Sequence, residues 1–148
     1  MRLILIGPDC CGKSTLAKKL SKQLNVPIIK GIRGDFDQIN RQKEPCIFDR
    51  IPNIDERIYT NSKITDKDIE PLKDNCIVLY IETPLSVLKE RFEIRGDEEV
   101  NLDDIQRVKE NYEKWLFMEN RINLMMITYD YTKKDIDRII EAFNKYGK

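Results

Sequence analysis

Gly7-Pro8-Asp9-Cys10-Cys11-Gly12-Lys13-Ser14 decides the reading of this chain. The stretch fits G-x-x-x-x-G-K-[ST] at every fixed position. Before it, Leu3 to Ile6 is a continuous apolar run, the pattern of a strand buried on both faces. After it, Lys13 to Leu24 carries Leu16, Leu20 and Leu24 on one helical stripe, and Asn25, Val26 and Pro27 stop the helix. Strand, glycine-bearing turn and helix in that order form a phosphate loop. A triphosphate tail brings several negative charges; consecutive main-chain N–H groups make a concave nest for them, and the helix N-terminus adds a positive dipole. Gly7 and Gly12 supply dihedrals and close approach that a Cβ would obstruct. Lys13 sets a point charge on the β- and γ-phosphates, and the Ser14 hydroxyl is a Mg²⁺ ligand. Asp9, Cys10, Cys11 and Thr15 complete the expected ATP-binding segment. The motif alone does not separate a kinase from a GTPase or an ATP-driven machine.

Outward from the loop, apolar runs alternate with helical patterns, as in βα units around a parallel sheet. Ile28 to Ile32 reads as the second strand and Cys46 to Phe48, ending at Asp49, as the third. Cys76 to Ile81 reads as the fourth strand and Ile122 to Thr128 as the fifth. Between them, Gly34 to Pro45 reads as loop with one helical turn at most, and Ile51 to Ser62 as a charged connector. Asp66 to Lys73 has helical composition with Thr65 or Asp66 as its cap. Further helices run from near Pro84 to a stop at Gly96, from Leu102 to Glu119, and from Lys134 to Lys145. The expectation is one α/β domain over 1–148: three α/β/α layers, a five-stranded parallel sheet and nucleotide-kinase-like topology. An acceptor-binding segment falls at about 30–62 and a lid at about 91–99.

Composition narrows the function. The 148 residues are 41% hydrophobic, ample for one core. Lys plus Arg and Asp plus Glu each total 26, so the net charge is zero, which argues against a broad electrostatic footprint for nucleic acid or an anionic membrane. There is no histidine, which removes imidazole catalysis and the commonest zinc ligand. The four cysteines form no C-x-x-C pair and read as reduced thiols. The apolar run at the N-terminus is too short for a signal-peptide core, and no stretch approaches a membrane span, so a cytoplasmic protein is expected.

Two further signals concern chemistry. Asp49 ends a parallel strand, where open α/β sheets bind ligands, and suits the Mg²⁺ shell or an acceptor oxygen. Arg50 beside it suits bidentate capture of an acceptor phosphate. Arg91 and Arg95 are four residues apart on one helix face, placed to cover a transferring phosphoryl group or, alternatively, to pair with Glu98 or Glu99 in solvent. Arg33, Asp35 and Phe36 follow the second strand and suit an acceptor pocket, Phe36 as a base-stacking ring or as a plain core aromatic. Guanine selection by N-K-x-D is absent, and Asp49-Arg50-Ile51-Pro52 does not fit the D-x-x-G that ends the corresponding strand of GTPases.

Gly7-Pro8-Asp9-x-x-Gly12-Lys13-Ser14-Thr15 resembles the thymidylate kinase loop G-x-D-G-A-G-K-[ST]-T. Asp49-Arg50 resembles that family's D-R-[YH], and Arg91-x-x-x-Arg95-Gly96 its lid. Arg95 to Glu98 and Tyr112 are similar to phage and prophage deoxynucleotide kinases of the same group. The resemblance implies that Asp9 contacts a deoxyribose 3′-hydroxyl, Asp49 acts near Mg²⁺ or the acceptor, and Arg50 binds an acceptor monophosphate. It implies that Arg91 and Arg95 close over the phosphoryl group and that the loop around Thr128 to Tyr131 lies near adenine. Homodimers are common in that family. The chain departs from it at Cys10-Cys11, which replace Gly-Ala, at Ile51, and in the short 34–45 segment. Tyr59 lies near the place of an absent Tyr-Gln pair. The leading expectation is a kinase making a deoxynucleoside diphosphate from its monophosphate with ATP and Mg²⁺. The alternatives are a kinase with a hydroxyl acceptor, such as a nucleoside, and a nucleotide-binding protein without catalysis.

Overall fold

The computed structural model describes residues 1–95, 102–118 and 123–146, with Arg95 and Leu102 described in their backbone alone. Strand β1 (Arg2–Ile6) leads through the phosphate loop into helix α1 (Lys13–Leu24), followed by β2 (Ile28–Lys30), α2 (Gln38–Arg41) and β3 (Cys46–Asp49). A π-helical turn at Pro52–Glu56 runs into α3 (Arg57–Tyr59). Next come α4 (Asp66–Ile69) with a 3₁₀ turn at Glu70–Leu72, β4 (Cys76–Glu82), α5 (Leu85–Arg95), α6 (Leu102–Leu116), β5 (Met126–Asp130) and α7 (Ile136–Tyr146).

The five strands pair in the order β2-β3-β1-β4-β5, every neighbour parallel. β1 lies at the centre and is buried along its whole length, because both of its faces carry helices. Side chains alternate across a strand. Ile4 and Ile6 therefore join Phe48, Val78, Tyr80, Tyr112 and Trp115 on one face. Leu3 and Leu5 join Leu16, Leu20, Leu79, Leu88, Ile139 and Phe143 on the other. This is the expected three-layer α/β fold with a five-stranded parallel sheet. The register aligns Leu5 of β1 with Asp49 of β3, and Lys30 of β2 with the same Asp49. The carboxyl ends of β1, β2 and β3 thus open onto one edge, where open α/β sheets bind ligands.

Two expectations require correction. The segment 51–62 is more than a charged connector: Ile51, Ile54 and Ile58 are buried, with Asn53 and Asp55 buried beside them, and 52–59 is helical. Ile51-x-x-Ile54-x-x-x-Ile58 was the signal, masked by a proline and the charges around it. β5 runs from Met126 to Asp130 rather than from Ile122 to Thr128, so Thr128 and Asp130 belong to the strand and the following loop starts at Tyr131. Its position is set by pairing, Val78 with Met126 through Glu82 with Asp130, whereas an apolar run by itself leaves a strand free to slide. Ile122 lies outside the described residues, as do Gly96 and the expected lid beyond Arg95. Thr65 caps α4 in a reciprocal capping box with Asp68, as its position suggested.

Candidate nucleotide site

The phosphate loop opens onto a cavity of about 760 Å³ at the carboxyl ends of the strands. Asp9, Cys10, Cys11, Gly12, Lys13, Ser14, Thr15, Asp49, Arg50, Arg91 and Tyr131 all contribute to its wall. Gly12 has φ 92°, a left-handed conformation that a Cβ opposes, and it delivers the chain into the first turn of α1. Cys10 is also left-handed, φ 69°, at the position where the resembling loops carry glycine. A non-glycine residue there costs on the order of 1–2 kcal/mol. Cys11 turns inward and is 2% exposed; burial pushes its thiol pKa up, against the opposing charge of Lys13, so it stays protonated at neutral pH. The bulk of Cys10-Cys11 is accommodated by burying Cys11 in the core and packing half-buried Cys10 against it. Thr83, buried at the end of β4, holds the loop by donating its hydroxyl to the Cys11 carbonyl at 3.2 Å.

Lys13 is 5% exposed. Its ammonium donates to the carbonyls of Gly7 and Pro8, the latter at 3.3 Å, and comes within 3.8 Å of Cys11 Sγ. A buried cation needs such partners. One helical position on, the Ser14 hydroxyl donates to Asp49 Oδ2 at 3.0 Å, bringing together the two residues expected to serve the metal. A hydroxyl and a carboxylate are hard oxygen donors, and Mg²⁺ is held by few protein oxygens with phosphates and water completing its shell. The donor set fits that ion.

Arg91 reaches across from α5. Its Nη1 donates to the Cys10 carbonyl at 2.8 Å, and its guanidinium lies 4.6 Å from the centre of the Tyr131 ring. Arg95 ends the same helix, and its side chain lies outside the described residues. Tyr131 and Lys134 bring the segment after β5 to the cavity, and Thr128 sits in the strand.

A second cavity of about 350 Å³ adjoins the first, and Gly31 and Arg50 line both. Arg33, Ile51, Pro52, Asp55, Glu56 and Tyr59 also line the second. Arg50 has φ 72°, so the chain kinks immediately after Asp49 and throws its side chain over the loop. Its guanidinium pairs with the Asp9 carboxylate and lies 5.4 Å from the centre of the Tyr59 ring. The Tyr59 hydroxyl accepts the Asp9 N–H at 2.7 Å, and burial raises the pKa of this phenol, keeping it neutral. Asp9, Arg50 and Tyr59 therefore form one unit between the cavities. Phe36 is elsewhere: its ring lies beneath the Arg57 guanidinium at 4.4 Å, outside both cavities, and Asp35 pairs with Arg41. Phe36 was placed in the acceptor pocket by its neighbours in sequence, but the chain turns after Gly34 and carries it away. Asp55 and Thr83 went unread in the sequence, and Tyr112 entered it only through the family resemblance. Asp55 had a signal, an acid one residue after Ile54 on the buried stripe; Thr83 had none.

The fold and this site are those of a P-loop protein with kinase architecture. No family model matches the chain. The chain is 34% identical over 129 residues to the SPbeta prophage-derived protein YorR of Bacillus subtilis (strain 168), an alignment covering 74% of this chain and 78% of YorR. It belongs to the YorR family. A crystal structure of Bacillus subtilis YorR in complex with phosphorylated GDP superposes with a TM-score of 0.78 at 29% identity, over 97% of this chain and 96% of that one. Deoxyadenosine kinase from M. mycoides, solved with dCMP and dCDP, shares the fold at a TM-score of 0.69 and 21% identity, over 98% and 99% of the two chains. Shikimate kinase from Acinetobacter baumannii does so at 0.58 and 17%, over 99% and 94%. Among the described residues, no helix is long and apolar enough to cross a membrane.

Proposed function

We propose that this protein is a kinase that transfers the γ-phosphoryl group of ATP to a nucleoside monophosphate, a deoxynucleoside monophosphate such as dTMP above all. One observation carries the reading: the phosphate-loop cavity and the second cavity meet at Arg50, a cation on their shared wall. A donor tail held by the loop and an acceptor phosphate held by Arg50 would then face each other. Phosphoryl transfer depends mostly on positioning and on neutralising charge, and a phosphate nucleophile needs no strong base. Lys13 would neutralise the donor's β- and γ-oxygens. Ser14 and Asp49 would hold Mg²⁺, which supplies charge neutralisation between the phosphates when bound. Arg91, hydrogen-bonded to the loop, would stabilise charge on the transferred group together with Arg95. Arg33 adds a second cation on the acceptor side. The nucleotide bound by YorR supports nucleotide chemistry in this family, and guanine nucleotides therefore belong among the donors and acceptors tested.

One observation favours a hydroxyl acceptor instead. Arg50 is already paired with Asp9, so its charge is compensated without an acceptor phosphate. Asp49 would then take the proton of the attacking hydroxyl. The two readings separate in a transfer assay with labelled ATP against every nucleoside and nucleoside monophosphate, repeated with Arg50→Ala. For a monophosphate acceptor, the variant is expected to lose about 10²-fold in kcat/KM through acceptor KM, the scale of a lost charge-assisted pair. A preference for nucleosides, with Arg50→Ala within a few-fold of the parent protein, would select the hydroxyl reading. No transfer to any acceptor despite ATP binding would leave a binding protein. Arg91→Ala is expected to act on kcat, by about 10²–10³-fold, with acceptor KM little changed. An unchanged kcat would remove Arg91 from the catalytic set.

A further inference from the structure

Asp55 forms the buried floor of the second cavity, 4% exposed. A carboxylate withdrawn from water is costly unless its lone pairs are filled. Two donors fill them here: the Ile51 N–H at 2.8 Å and the Tyr112 hydroxyl. Ile51 directly follows Arg50, the residue held in a left-handed conformation. Asp55 thus grips the main chain at the step after the kink that aims the Arg50 side chain.

Tyr112 is fully buried on α6, a helix remote in sequence from this turn. Its ring meets that of Tyr59 edge-on, centroids 6.5 Å apart at 81°. Tyr59 in turn carries the Arg50 guanidinium and accepts the Asp9 N–H. Tyr112 therefore reaches the Asp9–Arg50 pair by two routes: through Asp55 to the main chain, and through Tyr59 to the side chains. The same part of α6 adds two clasps. Arg107 donates to the Tyr59 carbonyl at 3.3 Å, and Asn111 donates to Ile58 O at 3.4 Å and Asn61 Oδ1 at 3.1 Å. An apolar pair of equal volume would fill the space beneath the turn without placing a charge in the core. A hydrogen-bonded acid and phenol instead specify one geometry.

We propose that Asp55 and Tyr112 are positioning residues that hold Arg50 ready for the anionic group of the acceptor, so that α6 is a working part of the acceptor site. The proposal rests on the reading of Arg50 as the acceptor clamp. Tyr112 lines neither cavity, and the role proposed for both side chains is exerted through Arg50 and Tyr59. Tyr112→Phe keeps the ring and removes one donor to Asp55. Asp55→Asn keeps the shape and weakens acceptance from Ile51 and Tyr112.

The test has two arms. In the first, the Arg50 Nε–Hε resonance of the free protein, assigned by its loss in Arg50→Lys, is compared between the parent chain and Tyr112→Phe. It is expected to shift and broaden in the variant. In the second, dTMP and Mg·ATP are titrated separately by calorimetry. Tyr112→Phe is expected to weaken monophosphate binding about tenfold, the scale of one hydrogen bond to a charged group, while ATP affinity changes less than twofold. An unmoved Arg50 resonance overturns the proposal, as does an equal loss of both affinities, which marks general loosening. A moved resonance in a protein that binds no monophosphate upholds the positioning and sinks the acceptor reading instead. Should Tyr112→Phe fail to fold, Asp55→Asn carries the same comparison.

Discussion

Lys13→Ala is expected to lower phosphoryl transfer by about 10³-fold or more, the scale for losing a preorganised donor to developing charge, and to abolish measurable Mg·ATP binding. The Lys13 ammonium is held against the Gly7 and Pro8 carbonyls at the wall of the cavity. It is the cation set within the loop itself, and alanine leaves the amides alone to balance a polyphosphate. The fold should survive, because the sheet and both core clusters do not depend on Lys13 and Pro8 borders the cavity. Lys13→Arg is not expected to rescue activity: a planar fork does not fit between carbonyls arranged for a point charge. Steady-state kinetics with ATP titration is the measurement. A kcat within tenfold of the parent protein would contradict the assignment of the loop.

Gly31→Ala should have the largest effect outside the loop. Gly31 directly follows β2 and donates its N–H to the Asp49 carbonyl at 3.2 Å, which draws the two strand ends together. A Cβ there would collide with the Arg50 carbonyl oxygen, and would lie 2.8 Å from its carbon and 3.1 Å from Ile51 Cα. All three are main-chain atoms and cannot rotate aside. Relief requires β2 to part from the Arg50–Ile51 kink, the wall shared by both cavities. Overpacking of this kind costs roughly 1–3 kcal/mol or more, a fall in Tm of about 3–10 °C for a chain of this size. Acceptor KM should rise with it, because Arg50 moves. Gly34→Ala is the control. Its φ of 80° disfavours alanine, but nothing lies within 4 Å of the added carbon, so the cost should be about 1–2 kcal/mol without a change in acceptor KM. Equal behaviour of the two variants would show that the close approach at Gly31 is unimportant.

Elements whose signal is local were legible. The boundaries of α1, Lys13 to Leu24, match the periodic stripe and the Asn25 stop. β3 ends at Asp49 where a polar pair meets an apolar run. Lys13, Ser14, Asp49, Arg50 and Arg91 were read as site residues from motif and strand-end position, and the fold gathers all five around one cavity. Elements whose position depends on a partner were misread. β5 moved toward the C-terminus because β4 sets its register, and the buried 52–59 helical segment was hidden by Pro52 and by the charged residues between its isoleucines. Phe36 went to Arg57 rather than to the acceptor cavity because adjacency along the chain says little after a left-handed glycine.

Sequence alone determined the phosphate loop, because the capacity to cradle polyphosphate resides in the eight consecutive residues Gly7 to Ser14, whose glycines, lysine and serine act through local geometry. It also determined the parallel α/β class, since burial on both faces of a strand leaves its mark within the strand. Only the tertiary structure decided what stands opposite the loop. Asp9, Arg50, Tyr59, Asp55 and Tyr112 come from three separate stretches of chain, and they meet because the sheet order places β3 beside β1 while α6 packs against the turn after β3. A buried acid is tolerated only where distant donors converge on it, and convergence across 57 residues of chain leaves no periodic trace to read.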